Sequence, residues 1–114
     1  MPMTSHKEAL RRLVLLSEPV HRLRNRLDAF EWNREEVLVT LTRDHLRTAI
    51  NRFLDGELSA AELEEWANLI EYRDEIDFEA SHADEIAGAI ENLASPNVFG
   101  AINSDRCRDL LDGL

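Results

Sequence analysis

Apolar residues recur at helical spacing through most of the chain, and the pattern is clearest over residues 42–72. Leu46, Ala49, Ile50, Phe53 and Leu54 fall at i, i+3, i+4, i+7 and i+8, which sets all five on one helical face behind Thr42, a suitable N-cap. Gly56 follows directly, where a residue without Cβ can take the left-handed conformation that closes a helix. Ser59 and Glu62 have the spacing of a capping box, and Leu58 and Leu63 stand where a hydrophobic staple closes over it. Two helices joined so tightly fold back on each other, so the first stripe is expected to face Leu63, Trp66, Ala67 and Ile70.

The same spacing organises the flanks. Ser5 and Glu8 form a second capping-box pattern ahead of Leu10, Leu13, Val14 and Leu16. Pro19 either breaks that helix or starts another carrying Val20, Leu23, Leu27 and Phe30, and a break near Ser17 is favoured. Asn33 and Glu36 suggest a short helix bearing Val37, Leu38 and Leu41, although residues 37–41 also read as a single strand. Helix is preferred because an isolated strand has nothing to pair with. Residues 73–80 read as an acidic loop anchored by Ile76 and Phe78. Ser81 is expected to cap a helix with Ile86, Ala89, Ile90 and Leu93 inward. Pro96 and Gly100 mark a connection, and Ser104 is expected to cap a last helix with Cys107, Leu110 and Leu111, stopped by Gly113. The expected fold is all-α: one domain over residues 1–114, a compact bundle of about five to six short helices around a central antiparallel hairpin over residues 43–72.

With 114 residues and 44% hydrophobic content, one core suffices without staples. Cys107 is the only cysteine, so no intrachain disulfide forms and a reducing, cytoplasmic setting is expected. The run at residues 13–16 is too short for the core of a secretion signal or for a membrane span, so neither secretion nor insertion is expected.

The net charge of −10 is unevenly placed: residues 1–54 carry +3, and residues 55–114 carry −13, with only Arg73, Arg106 and Arg108 opposing sixteen carboxylates. Such a surface repels phosphates and anionic lipids and attracts basic proteins, which argues against direct nucleic-acid or membrane binding.

Glu18-x-x-His21 and Glu79-x-x-His82 have the spacing by which helices of a di-iron bundle supply ligands. Each pair straddles an expected helix start, so its side chains would not share a face, and no metal or other cofactor is expected. The acidic run at 74–79 lacks the glycine and glutamate spacing of a calcium loop. Cys107, beside Leu110 and Leu111, reads as a small buried thiol. His45 has no nucleophile at a recognisable spacing and is assigned to boundary packing or capping. No catalytic residues are expected. The second helix of the hairpin offers an interaction surface instead. At about 100° per residue, Glu65, Asn68 and Tyr72 fall outward with Glu64 beside them, running into Asp74, Glu75, Asp77 and Glu79. A tyrosine anchor within a field of carboxylates suits contact with a basic protein.

The run Phe53-Leu54-Asp55-Gly56-Glu57-Leu58-Ser59-Ala60-Ala61-Glu62-Leu63-Glu64-Glu65-Trp66 resembles the hairpin of small acidic helical immunity proteins of the colicin-D-immunity-like kind. The resemblance implies a non-enzymatic inhibitor that occludes a basic toxin, often a nuclease, with carboxylates standing in for substrate phosphates. A second reading is a structural or regulatory helical module that self-associates or joins a larger assembly.

Overall fold

In the computed structural model, the described residues are 6–28, 39–71, 73 and 76–114. Helix α1 (His6–Leu15) begins the chain and carries Ala9, Leu10, Leu13 and Val14 into the core, with Glu8 and Arg12 paired across one turn at 3.3 Å. It ends where the pattern broke. Leu16 takes a φ of 50°, in the left-handed region, yet is buried; Ser17 N–H then bonds back to the Arg12 carbonyl. The strain of a side chain in that region, roughly 1–2 kcal/mol, is offset by burying leucine there. Pro19 stands just ahead of α2 (Val20–Asp28), accepting from the amides of Arg22 and Leu23, and Val20 and Leu23 point inward. Ser5, the Leu27 side chain, Phe30 and the segment 33–38 lie outside the described residues.

Residues 39–41 correct the helical expectation. They form strand β1 (Val39–Leu41), and its partner is β2 (Ile76–Phe78), in the stretch read as a loop. The two run parallel, with Val39 opposite Ile76, Thr40 opposite Asp77 and Leu41 opposite Phe78. Parallel strands need a long crossover, and here α3 (Arg43–Leu54) and α4 (Ala60–Ile70) supply it. The strand thus has the partner that local pattern could not reveal; the described residues are mostly helical, roughly consistent with the all-α expectation, with one small parallel sheet added.

The caps of the crossover helices follow the sequence closely. The Thr42 hydroxyl accepts from His45 N–H and the Ser59 hydroxyl accepts from Glu62 N–H, each returned by a side-chain contact to the cap amide. Gly56 has a φ of 83°. Leu46, Ala49 and Ile50 are buried, as are Leu58, Leu63, Trp66, Ala67 and Ile70, whereas Phe53 and Leu54 are only half-buried against the core. The packing explains that difference. α3 and α4 touch, but α4 makes its broadest contact with α5 (Ala83–Ala94), and α3 also lies against α1 and the last helix, α7 (Ser104–Asp112).

Trp66 joins these layers: fully buried, it donates from Nε1 to the Leu13 carbonyl at 2.7 Å, while Arg52 Nη1 donates to the Leu16 carbonyl at 2.6 Å. Two carbonyls at the end of α1 are therefore met from α4 and α3, a purpose for which a buried indole needs a partner in any case.

Two other caps differ from expectation. Ser81 lies in a single 3-10 turn, Ala80–His82, that leads into α5 without a side-chain cap. Asn103, not Ser104, caps α7, its Oδ1 accepting from Arg106 N–H at 2.9 Å. Pro96 starts a one-turn helix, α6 (Pro96–Phe99), rather than a plain connection, and α7 closes at Gly113. The Cα radius of gyration, 13.6 Å, matches the roughly 13 Å of a packed chain of this length.

A candidate protein-binding face

The described members of the expected acidic face lie on α4, on β2 and just after it. Glu64 and Asn68 lie on α4, half-buried and exposed respectively, and Asp77 is exposed on β2. Tyr72, Asp74 and Glu75 lie outside the described residues. Two of the expected carboxylates are engaged within the chain. Glu65 Oε1 meets Arg24 Nη1 of α2 at 2.8 Å; the oxygen is buried and the approach lies off hydrogen-bond alignment, so the contact is an ion pair. Glu79 Oε1 accepts from the Arg43 amide at 3.1 Å, and its own amide donates to the Leu41 carbonyl. A carboxylate on the first amide of α3 meets an unpaired donor and the positive end of the helix dipole. Glu79 therefore joins β2 to α3, and Glu65 joins α4 to α2.

Two of the three arginines of the acidic half donate to backbone carbonyls. Arg73 is buried, and its Nε donates to the Leu69 carbonyl at 2.7 Å, closing the C-terminus of α4. Arg106 donates to Asn92 Oδ1 and to the Phe99 carbonyl, with its guanidinium 5.9 Å from the Phe99 ring centre, and so clasps α5, α6 and α7 together. Gly100 makes room for it, since a Cβ there would stand 2.9 Å from Arg106 Nη1. Arg108 faces Asp105 at 3.6 Å on the exposed side of α7.

Sequence reasoning missed a concavity beside this face. Glu71, Phe78, Ala87, Ile90 and Glu91 line a pocket of about 310 Å³. Burial, and secondarily repulsion from Glu91, raises the Glu71 carboxyl above its ordinary value. The sequence held a partial signal. Asp84, Ala87, Gly88 and Glu91 repeat at i, i+3, i+4 and i+7, which is the exposed face of α5. Nothing local, however, brings that face to Phe78 and the end of α4.

No family model, curated protein or solved structure matches the chain.

Other candidate chemistry is placed as follows. A second pocket of about 310 Å³ is lined by Arg11, Val14, Leu15, Val39, Thr40 and His45. His45 Nδ1 accepts from the Thr42 amide at 3.0 Å, so that nitrogen is committed to the cap. Burial lowers the His45 pKa, opposed by the nearby carboxylates of Asp44 and Glu79. Cys107 is fully buried and its pKa is raised by burial, only partly countered by Arg106, which disfavours the thiolate. Glu18 lies 3.8 Å from Arg12, and His21 is exposed. Among the described residues, no three His, Cys, Asp or Glu side chains converge as a metal site would require. No described helix is long and apolar enough to cross a membrane.

Proposed function

We propose that the chain is a non-enzymatic, cytoplasmic protein-binding domain, an immunity-like or antitoxin-like inhibitor whose acidic face occludes a basic toxin or nuclease. On this reading α3 and α4 act as an antiparallel hairpin that presents the face, with Glu64, Asn68, Tyr72, Asp74, Glu75 and Asp77 as its contacts. One observation carries the proposal: residues 55–114 hold sixteen carboxylates against three arginines, and one of the three, Arg106, is turned to the Phe99 carbonyl and the Asn92 side chain. The field is left for a partner to neutralise, and a field of this sign steers basic proteins. Glu65 and Glu79 contribute charge to it while fixing α2, α4, β2 and α3 in place.

The test is co-expression with the product of the adjacent upstream reading frame, together with capture of partners from the source cell. A basic protein bound by the chain, and toxic without it, is the expected result. Partners that are only acidic or uncharged would overturn the proposal.

A second reading, self-association, is favoured by α6, where Val98 is 71% and Phe99 43% exposed. Sedimentation separates the two: a dimer lost on changing Val98 and Phe99 together to serine supports association through α6, and a monomer at all concentrations removes it.

A further inference from the structure

The pocket lined by Glu71, Phe78, Ala87, Ile90 and Glu91 combines features that the rest of the acidic surface does not. Its floor is apolar, with Phe78 half-buried and Ile90 buried, and it is bounded by two carboxylates from different elements, the end of α4 and α5. Neither Glu71 nor Glu91 has an ion-pair partner among the described residues. Glu71 also caps the C-terminus of α4, where Arg73 Nε meets the Leu69 carbonyl. Two carboxylates without an ion pair among the described residues thus border a concavity large enough for one long side chain. Lysine and arginine have the matching shape: an aliphatic stem that packs on apolar surface and a cationic head that stays at the rim.

We propose that this pocket receives a single basic side chain of a partner protein, its stem over Phe78 and Ile90 and its cation between Glu71 and Glu91. The assignment rests on the acidic-face reading and fixes one point of that face. It also adds α5 to a surface otherwise made by α4 and β2.

Amide-resolved NMR titration with n-butylguanidinium and n-butylammonium, probes of the two side chains, tests the pocket without any partner. Saturable shifts centred on Phe78, Ala87 and Glu91 are expected. The guanidinium ion without a chain, and n-butanol without a charge, are each expected to bind several-fold more weakly. Glu71→Gln combined with Glu91→Gln is expected to weaken binding about fivefold or more, the scale of partly exposed ion pairs. Asp84→Asn, on the same helix outside the pocket, should leave it unchanged, and Phe78→Leu gives an independent probe of the floor if the double variant is unstable. Shifts spread evenly over the acidic surface, n-butanol binding as well as the cations, or affinity unaffected by both the double variant and Phe78→Leu would overturn the assignment. If the pocket ignores the probes while the chain still captures a basic protein, only the pocket assignment falls. If the probes bind and no basic partner exists, the inhibitor reading falls instead.

Discussion

At the scale of single residues, His45 shows how a cap imposes a protonation state. Its Nδ1 accepts from the Thr42 amide, which requires the ring to be neutral, and the site lies at the positive end of α3. Its pKa is lowered from an ordinary 6.5, so below that pH the unfolded chain binds the proton more readily than the folded one. Stability is therefore expected to be unaffected by His45 well above pH 6.5 and to fall as the pH drops from there toward the lowered value. Glutamine at this position can keep the reciprocal cap without titrating. Urea denaturation of His45→Gln should match the parent near neutrality to within about 0.5 kcal/mol and lose part of the decline at acid pH; an unaltered acid slope would mean that the His45 cap does not titrate with folding. Trp66 is the other residue whose polar atom matters. Trp66→Phe removes the bond to the Leu13 carbonyl together with some buried volume, and should lose about 1–3 kcal/mol in the same assay. The chain placed His45 at boundary packing or capping, and the structure shows the cap. The caps at Asn103 and before α5 were not readable, because Asn103 and Ser104 are both good caps and only the backbone decides between them.

At the scale of elements, the α3 and α4 caps and stripes were legible because each is a local pattern that several neighbouring residues repeat. Ser59→Ala should lose about 1 kcal/mol and Leu63→Ala about 2–5 kcal/mol by chemical denaturation. Phe53→Ala should lose less than Leu63→Ala, since Phe53 is half-buried where Leu63 is fully covered. Equal losses would show that the two helices bury their facing stripes alike. The strands were illegible for the opposite reason. Ile76-Asp77-Phe78 is three residues long within an acidic run, and the partner that makes it a strand lies 37 residues earlier. Parallel pairing leaves no hairpin turn to announce it.

For the whole molecule, the charge asymmetry was fully legible and the geometry of the face was not. Which carboxylates are free depends on distant partners: Arg24 takes Glu65 and the Arg43 amide takes Glu79. The face predicts distinct kinetic effects. Association with a basic protein should slow steeply from low to physiological salt, as the Debye length shrinks from about 30 Å toward 8 Å. Neutralising Asp77, exposed on β2, should mainly slow association, whereas Tyr72→Ala should mainly speed dissociation and cost about 2 kcal/mol or more. Stopped-flow binding across a salt series measures both; a rate that ignores salt would show the acidic surface to be an ordinary solvated one.

The β1–α3–α4–β2 crossover also orders events in time. Three residue pairs must repay the entropy of closing a long loop, so the ladder gains nothing until both helices have already brought its ends together. The strands therefore form late in folding and open early in the native state, ahead of the helices that connect them. In hydrogen exchange the Glu79 amide, held by the Leu41 carbonyl, should lose its proton well before the amides at the centres of α3 and α4. Because β2 carries Asp77 and Phe78, a ligand seated there would hold the ladder shut, and slower exchange at Glu79 would report its arrival from the protein's own backbone.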